Sequence, residues 1–298
     1  MKVNVLMSTY NGERYLKEQL DSIIAQENVD VDILVRDDGS NDSTLDILHE
    51  YEERGMVHWY KGKNQGPARS FLTLLRDSSD EADYYAFSDQ DDFWKPEKLS
   101  VAVEKLKRTD NVPALYFSRT QMTDSVLAPT GIVAINPLLT FGESLVYEFI
   151  PGCTMVFNRK LRDIINKYSP EYLPMHDVWI YSVALAVGAK IYFDETPYIL
   201  YRQHSSNTIG QGYSVWHEWK RRLDRFTHSE HSRYRRACEI RRGYIESMNR
   251  QNADTLNDFI QSKNNLFCRL KLCFDKRYEC SRKSTRRLFN IALLLNSY

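Results

Sequence analysis

Tyr84, Tyr85, Ala86, Phe87 and Ser88 form an apolar run that stops in Asp89, Gln90, Asp91 and Asp92, with Phe93 and Trp94 directly behind. Carboxylates crowded where a buried strand ends repel one another unless a cation lies between them. Oxygen donors of this kind select Mg²⁺ or Mn²⁺, which takes one or two carboxylates from the protein and further oxygens from substrate phosphates. A solvated acidic turn would account for an isolated Asp cluster. Its place straight after a strand favours a metal and diphosphate site, because ligands of open α/β sheets sit outside the carboxyl ends of the strands.

The elements that must position these groups follow from hydrophobic spacing. Residues 3–7 and 33–35 read as strands, and Leu16, Leu20, Ile23 and Ile24 recur at helical spacing between them. The order continues with a helix from 43 to 54, a short strand at 57–60, a helix over 67–76, the strand 84–88 and a helix opening near Pro96. Proline suits a first helical turn, at Pro67 and Pro96 alike. Repeated βα units predict an α/β fold with a largely parallel sheet covered on both faces. Ser8, Thr9, Tyr10 and Asn11 follow the first strand and Asp37 and Asp38 the second, so polar residues collect at the edge that carries the acidic cluster. A dinucleotide fold would need GxGxxG after the first strand, and STYNGERYL lacks it.

The 298 residues, 42% of them hydrophobic, suffice for one substantial core or one core plus a smaller module. Net charge is zero but unevenly spread. Residues 1–215 hold 21 Lys and Arg against 31 Asp and Glu, and residues 216–298 hold 19 against 9. Such a tail meets an anionic surface such as phospholipid, or packs on the acidic body of its own or another subunit as a homodimer contact. Nucleic acid is not expected as a partner, since no helix-turn-helix, zinc-finger or RNP-type pattern accompanies the charge. Five cysteines without a CxxC pair support neither a disulfide framework nor zinc. No apolar run is long enough to span a bilayer, and Met1 leads directly into a strand pattern, which predicts a cytoplasmic protein, peripheral on the inner membrane face if the tail binds lipid. In that tail Trp216, Trp219, Leu223 and Phe226 share one helical face, and Leu288, Phe289, Ile291, Ala292, Leu293, Leu294 and Leu295 follow Arg286 and Arg287. Both stripes suit an interfacial helix, and both would equally suit packing on the body.

Six segments stand in order along residues 1–205: STYNGERYL, VRDDGSNDST, NQGPARSF, SDQDDFWKPEKL, PGCTMVFNR and MHDVW. Together they resemble the inverting family-2 glycosyltransferases of the GT-A fold. SDQDDFW and YRQHSSNTIG are most similar to bacterial rhamnosyltransferases of surface-polysaccharide assembly. The resemblance implies a Rossmann-like, mixed but mostly parallel sheet in a catalytic domain over 1–212, with nucleotide-sugar binding over about 1–118 and the acceptor side over about 119–212. A basic, aromatic helical region over 213–298 would complete the chain.

The same resemblance implies residue roles. Thr9, Tyr10 and Glu13 line the nucleotide pocket, and Asp38 accepts the N3–H of a uracil or thymine ring; Asp37 and Asp38 would also suit a turn or helix cap. Arg69 reaches a phosphate or the base, and Asp89 bonds the ribose or assists the metal. Asp91 and Asp92 ligate Mn²⁺ or Mg²⁺. His204 contacts metal or phosphate, or is structural. Trp94, Gly152, Cys153 and His176 lie toward the donor or acceptor sugar, with Cys153 a packing residue and not a nucleophile. Asp177, which by itself would read as a helix cap, becomes the base that deprotonates the acceptor hydroxyl.

The implied activity is metal-dependent inverting transfer of L-rhamnose from dTDP-L-rhamnose to a growing, lipid-linked glycan. UDP-glucose or UDP-galactose is the alternative donor. A nucleotidyltransferase would need a glycine-rich basic loop that STYNGERYL lacks. An inactive nucleotide-sugar-binding scaffold of polysaccharide assembly is the alternative of another class.

Overall fold

Seven strands form the central sheet of the computed structural model, which describes residues 1–109, 111–147, 150–204 and 231–298. In chain order the strands are β1 (Lys2–Thr9), β2 (Asp30–Asp37), β3 (His58–Lys61), β4 (Tyr84–Ser88), β5 (Phe93–Trp94), β6 (Ala114–Ser118), β7 (Gln121–Thr123), β8 (Pro129–Ile132), β9 (Val156–Asn158), β10 (Lys190–Asp194) and β11 (Ile199–Arg202). The large sheet runs β10-β6-β9-β4-β1-β2-β3. All its pairings are parallel except those of β9, which lies antiparallel between β4 and β6. A second sheet, β5-β11-β7-β8, stands beside it. The largely parallel sheet expected from the βα repeats is present, mixed as the resemblance implies.

Among the described residues the helices are α1 (Leu16–Ile24), α2 (Thr44–Glu53), α3 (Pro67–Asp77), α4 (Lys98–Leu106), α5 (Phe141–Val146), α6 (Arg159–Ile165), α7 (His176–Ala186), α8 (Ser232–Tyr244), α9 (Arg250–Ser262), α10 (Leu266–Phe274) and α11 (Lys283–Leu294). Pro67 opens α3 as its type predicts. The helix expected near Pro96 starts two residues later, because Phe93 and Trp94 are taken first into β5, paired antiparallel with Leu200 and Ile199.

Alternation along the strands splits the interior into two cores. Tyr84 and Ala86 of β4 join Val5, Met7, Leu20 and Val103 on one face, under α1, α2 and α4. Tyr85 and Phe87 join Leu6, Phe157 and Trp179 on the other, under α3 and α7. Every residue of β4 is buried, as a strand covered on both faces requires. Burial of each such large apolar side chain contributes about 1.5–3 kcal/mol.

The C-terminal helices close the second core. Tyr244, Phe259, Tyr278, Phe289 and Tyr298 belong to the same buried cluster as α7. Arg236 Nη2 donates to the Ser144 carbonyl (2.7 Å), and the Ser281 amide to Glu143 Oε1 (2.8 Å). The C-terminal stripe divides: Phe289, Ala292 and Leu293 are buried, whereas Ile291, Leu294 and Leu295 face solvent. The Trp216, Trp219, Leu223, Phe226 stripe and the 212/213 boundary lie outside the described residues.

Gly142 of α5 lies hard against the C-terminal part, since a Cβ there would overlap the Arg277 carbonyl oxygen. Gly142→Ala is therefore expected to cost about 1–3 kcal/mol. A urea midpoint unchanged from wild type would show that the α5 contact does not bind the C-terminal helices to the body.

Candidate functional site

A cavity of about 600 Å³ opens where β1 and β4 end, and the predicted groups collect around it. β1 hands over to Tyr10, Asn11 and Gly12. Asn11 takes a left-handed turn (φ 49°), and its amide donates to Ser40 Oγ (2.9 Å). Gln90 closes the floor by accepting from the Tyr10 amide (2.9 Å) and donating to its carbonyl (3.1 Å). A side chain at Gly12 would collide with Gln90, so glycine permits this close approach. Thr9 and Tyr10 line the cavity, although the Thr9 hydroxyl also donates to Asp37 Oδ2 (3.1 Å).

Asp37 and Asp38 divide the work of the second strand end. Asp37 is fully buried and holds the turn by accepting from the amides of Gly39 (3.0 Å) and Ser40 (2.8 Å). Asp38 reaches the cavity and accepts from Arg36 Nη1 and from the amides of Gln65 (3.0 Å) and Gly66 (2.9 Å). Arg36, buried on β2, also binds Ser70 Oγ (3.0 Å) and the Lys63 carbonyl (2.9 Å), fixing the loop before α3.

The acidic segment turns its carboxylates in two directions. Asp89 and Asp91 line the cavity, and Asp91 Oδ2 lies 2.9 Å from His204 Nε2. Asp92 is wholly buried, with Oδ1 accepting from the Arg202 amide (3.1 Å) and no hydrogen-bond partner for Oδ2. Beneath it Lys98 is buried with its ammonium 3.4 Å above the Trp94 ring centroid. Burial, then the charges of Asp91 and Asp177, push the Asp89 carboxyl up to about 7. Burial, then Asp91 and Asp89, push Asp92 upward as well. Burial lowers Lys98 to about 7.

Two groups of potential ligand atoms lie here. Asp91 and His204 converge on the cavity wall, and a carboxylate oxygen beside an imidazole nitrogen is a set that Mn²⁺ accepts more readily than the oxygen-selective Mg²⁺. Asp89, Asp92 and Cys153 bring one ligand atom each within 4.8 Å of one another, deeper in the protein. The first set opens on the cavity.

On the opposite wall the turn at Gly152–Thr154 meets the first turn of α7. A Cβ at Gly152 would stand 2.9 Å from both Asp177 Cβ and His176 Nε2, so glycine lets the two segments touch. Cys153 is buried, and burial followed by the Asp92 and Asp89 charges raises its thiol well above the ordinary range, which suits packing and not nucleophilic attack. The His176 ring stacks on Phe71 (centroids 4.0 Å) with neither nitrogen hydrogen-bonded; burial lowers it to about 3 and keeps it neutral. Asp177 is buried, its Oδ1 accepts from the Val178 amide (2.7 Å), and burial outweighs that bond to push the carboxyl up to about 7.

Asp38, Asp89, Asp91, Gly152, Cys153, His176, Asp177 and His204 thus share one cavity with Thr9 and Tyr10. Four other candidate residues are not among its lining residues. Glu13 caps α2 through the Ser43 amide (2.9 Å), and Arg69 donates to the Glu171 carbonyl (2.8 Å). Asp92 and Trp94 sit below the floor. Sequence reading missed Tyr15, Gln90 and Tyr201 on the wall, and Arg202 as the anchor of the acidic loop. Arg202 Nε donates to the Asp91 carbonyl (2.9 Å), Nη1 to the Ser125 carbonyl (2.7 Å), and Nη2 pairs with Glu18. The signal for it was a lone arginine closing the apolar run Ile199, Leu200, Tyr201.

The model of glycosyl transferase family 2 matches residues 4–164. The dTDP-rhamnosyl transferase RfbG of Shigella flexneri is 33% identical over 233 residues, 72% of this chain and 77% of its own. Among solved structures, residues 1–349 of S. aureus TarS in complex with UDP-GlcNAc superpose with a TM-score of 0.62 at 18% identity, covering 93% of this chain and 78% of that one. A mannosyltransferase of Pyrobaculum calidifontis, in complex with GDP-Man and Mn²⁺, superposes with a TM-score of 0.51 at 16% identity over 99% and 85%. The chain belongs to glycosyl transferase family 2, and its fold is of the GT-A type.

The raised Asp177 carboxyl has a stability consequence. A carboxyl held near 7 in the folded chain and near 4 in the unfolded one destabilises the fold wherever it must ionise, from about pH 4 upward and fully above about pH 7. Asp177→Asn should therefore raise the melting temperature at pH 8 and leave it unchanged at pH 4. An equal shift at both pH values would rule out a desolvated carboxylate.

Proposed function

We propose that this family-2 glycosyltransferase moves L-rhamnose from dTDP-L-rhamnose, with inversion, onto a growing, lipid-linked cell-surface polysaccharide. One observation carries the reading: Asp177, with its carboxyl raised to about 7, opens on the same cavity as Asp38, Asp89, Asp91 and His204. A base tuned near neutrality thus faces groups suited to a nucleoside diphosphate. The similarity to a dTDP-rhamnosyl transferase supports the choice of donor.

In this reading Asp38 accepts the N3–H of the pyrimidine with the acceptor capacity left by Arg36, Gln65 and Gly66. Asp89 receives the ribose hydroxyls. Asp91 and His204 would hold Mn²⁺ or Mg²⁺, whose charge offsets that of the departing diphosphate. His176, neutral and stacked on Phe71, offers an unprotonated nitrogen or an N–H to a sugar hydroxyl without adding charge. Asp177 takes the proton from the acceptor hydroxyl as its oxygen bonds to the anomeric carbon. The bond from that carbon to the diphosphate oxygen breaks on the opposite face, and its electron pair leaves with the nucleotide. One displacement inverts the centre, so the buried Cys153 thiol has no step to perform.

UDP-glucose or UDP-galactose is a second donor reading, favoured by one feature: uracil and thymine present the same N3–H to Asp38. A panel of dTDP-rhamnose, UDP-glucose and UDP-galactose with Mn²⁺, scored by product formation, separates the two. Asp177→Asn should lower kcat by about 10²–10⁴ while nucleotide binding persists. Asp91→Asn should remove the Mn²⁺-dependent part of thermal stabilisation by dTDP or UDP. Nucleotide binding without turnover of any donor would favour a scaffold instead.

A further inference from the structure

We propose that the solvent face of α10 and α11 is a docking surface for an anionic phospholipid bilayer. The two helices form an antiparallel pair. Arg269 Nη1 of α10 reaches the Leu293 and Leu294 carbonyls near the end of α11, while Arg286 Nη2 near its start donates to the Leu272 carbonyl (2.6 Å) at the end of α10. Their inner faces are satisfied by the core through Leu272, Phe289, Ala292 and Leu293. Their outer faces are apolar as well. Leu266, Leu270 and Phe274 recur every four residues on α10, with Phe267 alongside, and this arc spans about 100° of the helix. Phe267 is 77% exposed and Phe274 86%. Ile291 and Leu294 on α11, and Leu295 directly after it, extend the exposed surface, Leu295 at 72%.

Water would not be the intended partner of seven large apolar side chains on two neighbouring helices. The surface is also fixed in place, because α5 binds the segment between the helices through Gly142 and Glu143. An apolar face left by loose packing would not be buttressed in this way.

Charge selects the occupant. Residues 266–298 hold eight Lys and Arg against two acidic residues. Lys271 flanks the α10 arc, Arg287 lies between Ile291 and Leu294 on the α11 face, and both are exposed, as are Lys276, Arg282 and Lys283. Two copies meeting through this face would bring like charges together, which disfavours self-association. Aromatic and aliphatic groups that enter the acyl boundary, ringed by cations that meet phosphate headgroups, are the pattern of an interfacial helix. Among the described residues no helix is long and apolar enough to cross a membrane, so the contact would be peripheral.

Co-sedimentation of the full chain with phosphatidylcholine vesicles, with and without phosphatidylglycerol, tests this. Binding should be about tenfold stronger to the anionic vesicles and should weaken with added salt. The double change Phe267→Ser and Phe274→Ser should remove it. Lys271→Glu with Arg287→Glu should abolish the preference for phosphatidylglycerol. The altered positions are exposed, and unchanged melting temperatures for the variants would separate lost docking from lost folding. Absence of binding to anionic vesicles at low salt overturns the proposal. So does a wild-type dimer, seen by light scattering, that both phenylalanine changes dissociate while vesicle binding stays absent; the face would then belong to a second copy.

Discussion

Mutual repulsion among carboxylates is the constraint to which the rest of this structure answers. Asp89, Asp91 and Asp92 leave one buried strand end, and Asp177 approaches from another segment closely enough for its charge to raise Asp89. In a low-dielectric setting such a group is unstable unless cations or donors are brought to it. The chain supplies them from distant parts of the sequence. Arg202 grips the loop through the Asp91 carbonyl and its own amide on Asp92, and His204 stands against Asp91. Lys98 places its ammonium beneath Asp92 over the Trp94 ring. What charge is left uncompensated on the cavity side is what a divalent cation and a nucleotide could use.

The second requirement is close approach of backbones, and it falls on two glycines. Gly12 makes room for Gln90, which ties the end of β1 to the acidic loop. Gly152 makes room for His176 and Asp177, which brings the start of α7 to the cavity. α7 itself is buried all round, so its register is fixed by packing on the sheet and on α8, and the position of Asp177 is fixed with it. A carboxyl set on a rigid helix start can be aimed; one on a free loop could not be held against its own desolvation.

The C-terminal helices serve the same core from behind. Tyr244 packs on Trp179 of α7 (centroids 6.0 Å), Asn252 donates to the Leu185 and Ala186 carbonyls at the end of that helix, and Phe259 and Tyr278 join the same buried cluster, so the region that looks appended in composition shares the core of the body. Its basic excess is explained in part by internal contacts. Arg236 and Arg286 spend their guanidinium groups on backbone carbonyls, and Arg277 on Asp258 and Asp275. Lys271, Lys276, Arg282, Lys283 and Arg287 are exposed instead, Lys271 and Arg287 beside apolar side chains, which is a different use of the same residue types.

The sequence by itself determined the order and nature of the elements, because hydrophobic period and the turn residues at strand ends are local properties. Strands at 3–7 and 84–88, the helix opening at Pro67 and the collection of Asp38, Asp89 and Asp91 at one edge could all be read from spacing. The joining of Asp177 to that edge came from likeness to a family, since a carboxyl at a helix start is locally indistinguishable from a cap. Only the tertiary structure decided which way each side chain faces. Asp91 and Asp92 are neighbours, yet one opens on the cavity and the other is buried, Asp92 held by the Arg202 amide and Asp91 set against His204. Glu13 and Arg69 likewise turn to a helix end and a carbonyl on neighbouring segments, and Arg36 and Arg202 take up the acidic groups instead. These outcomes depend on contacts across 28 to more than 100 residues of chain, which no local pattern records.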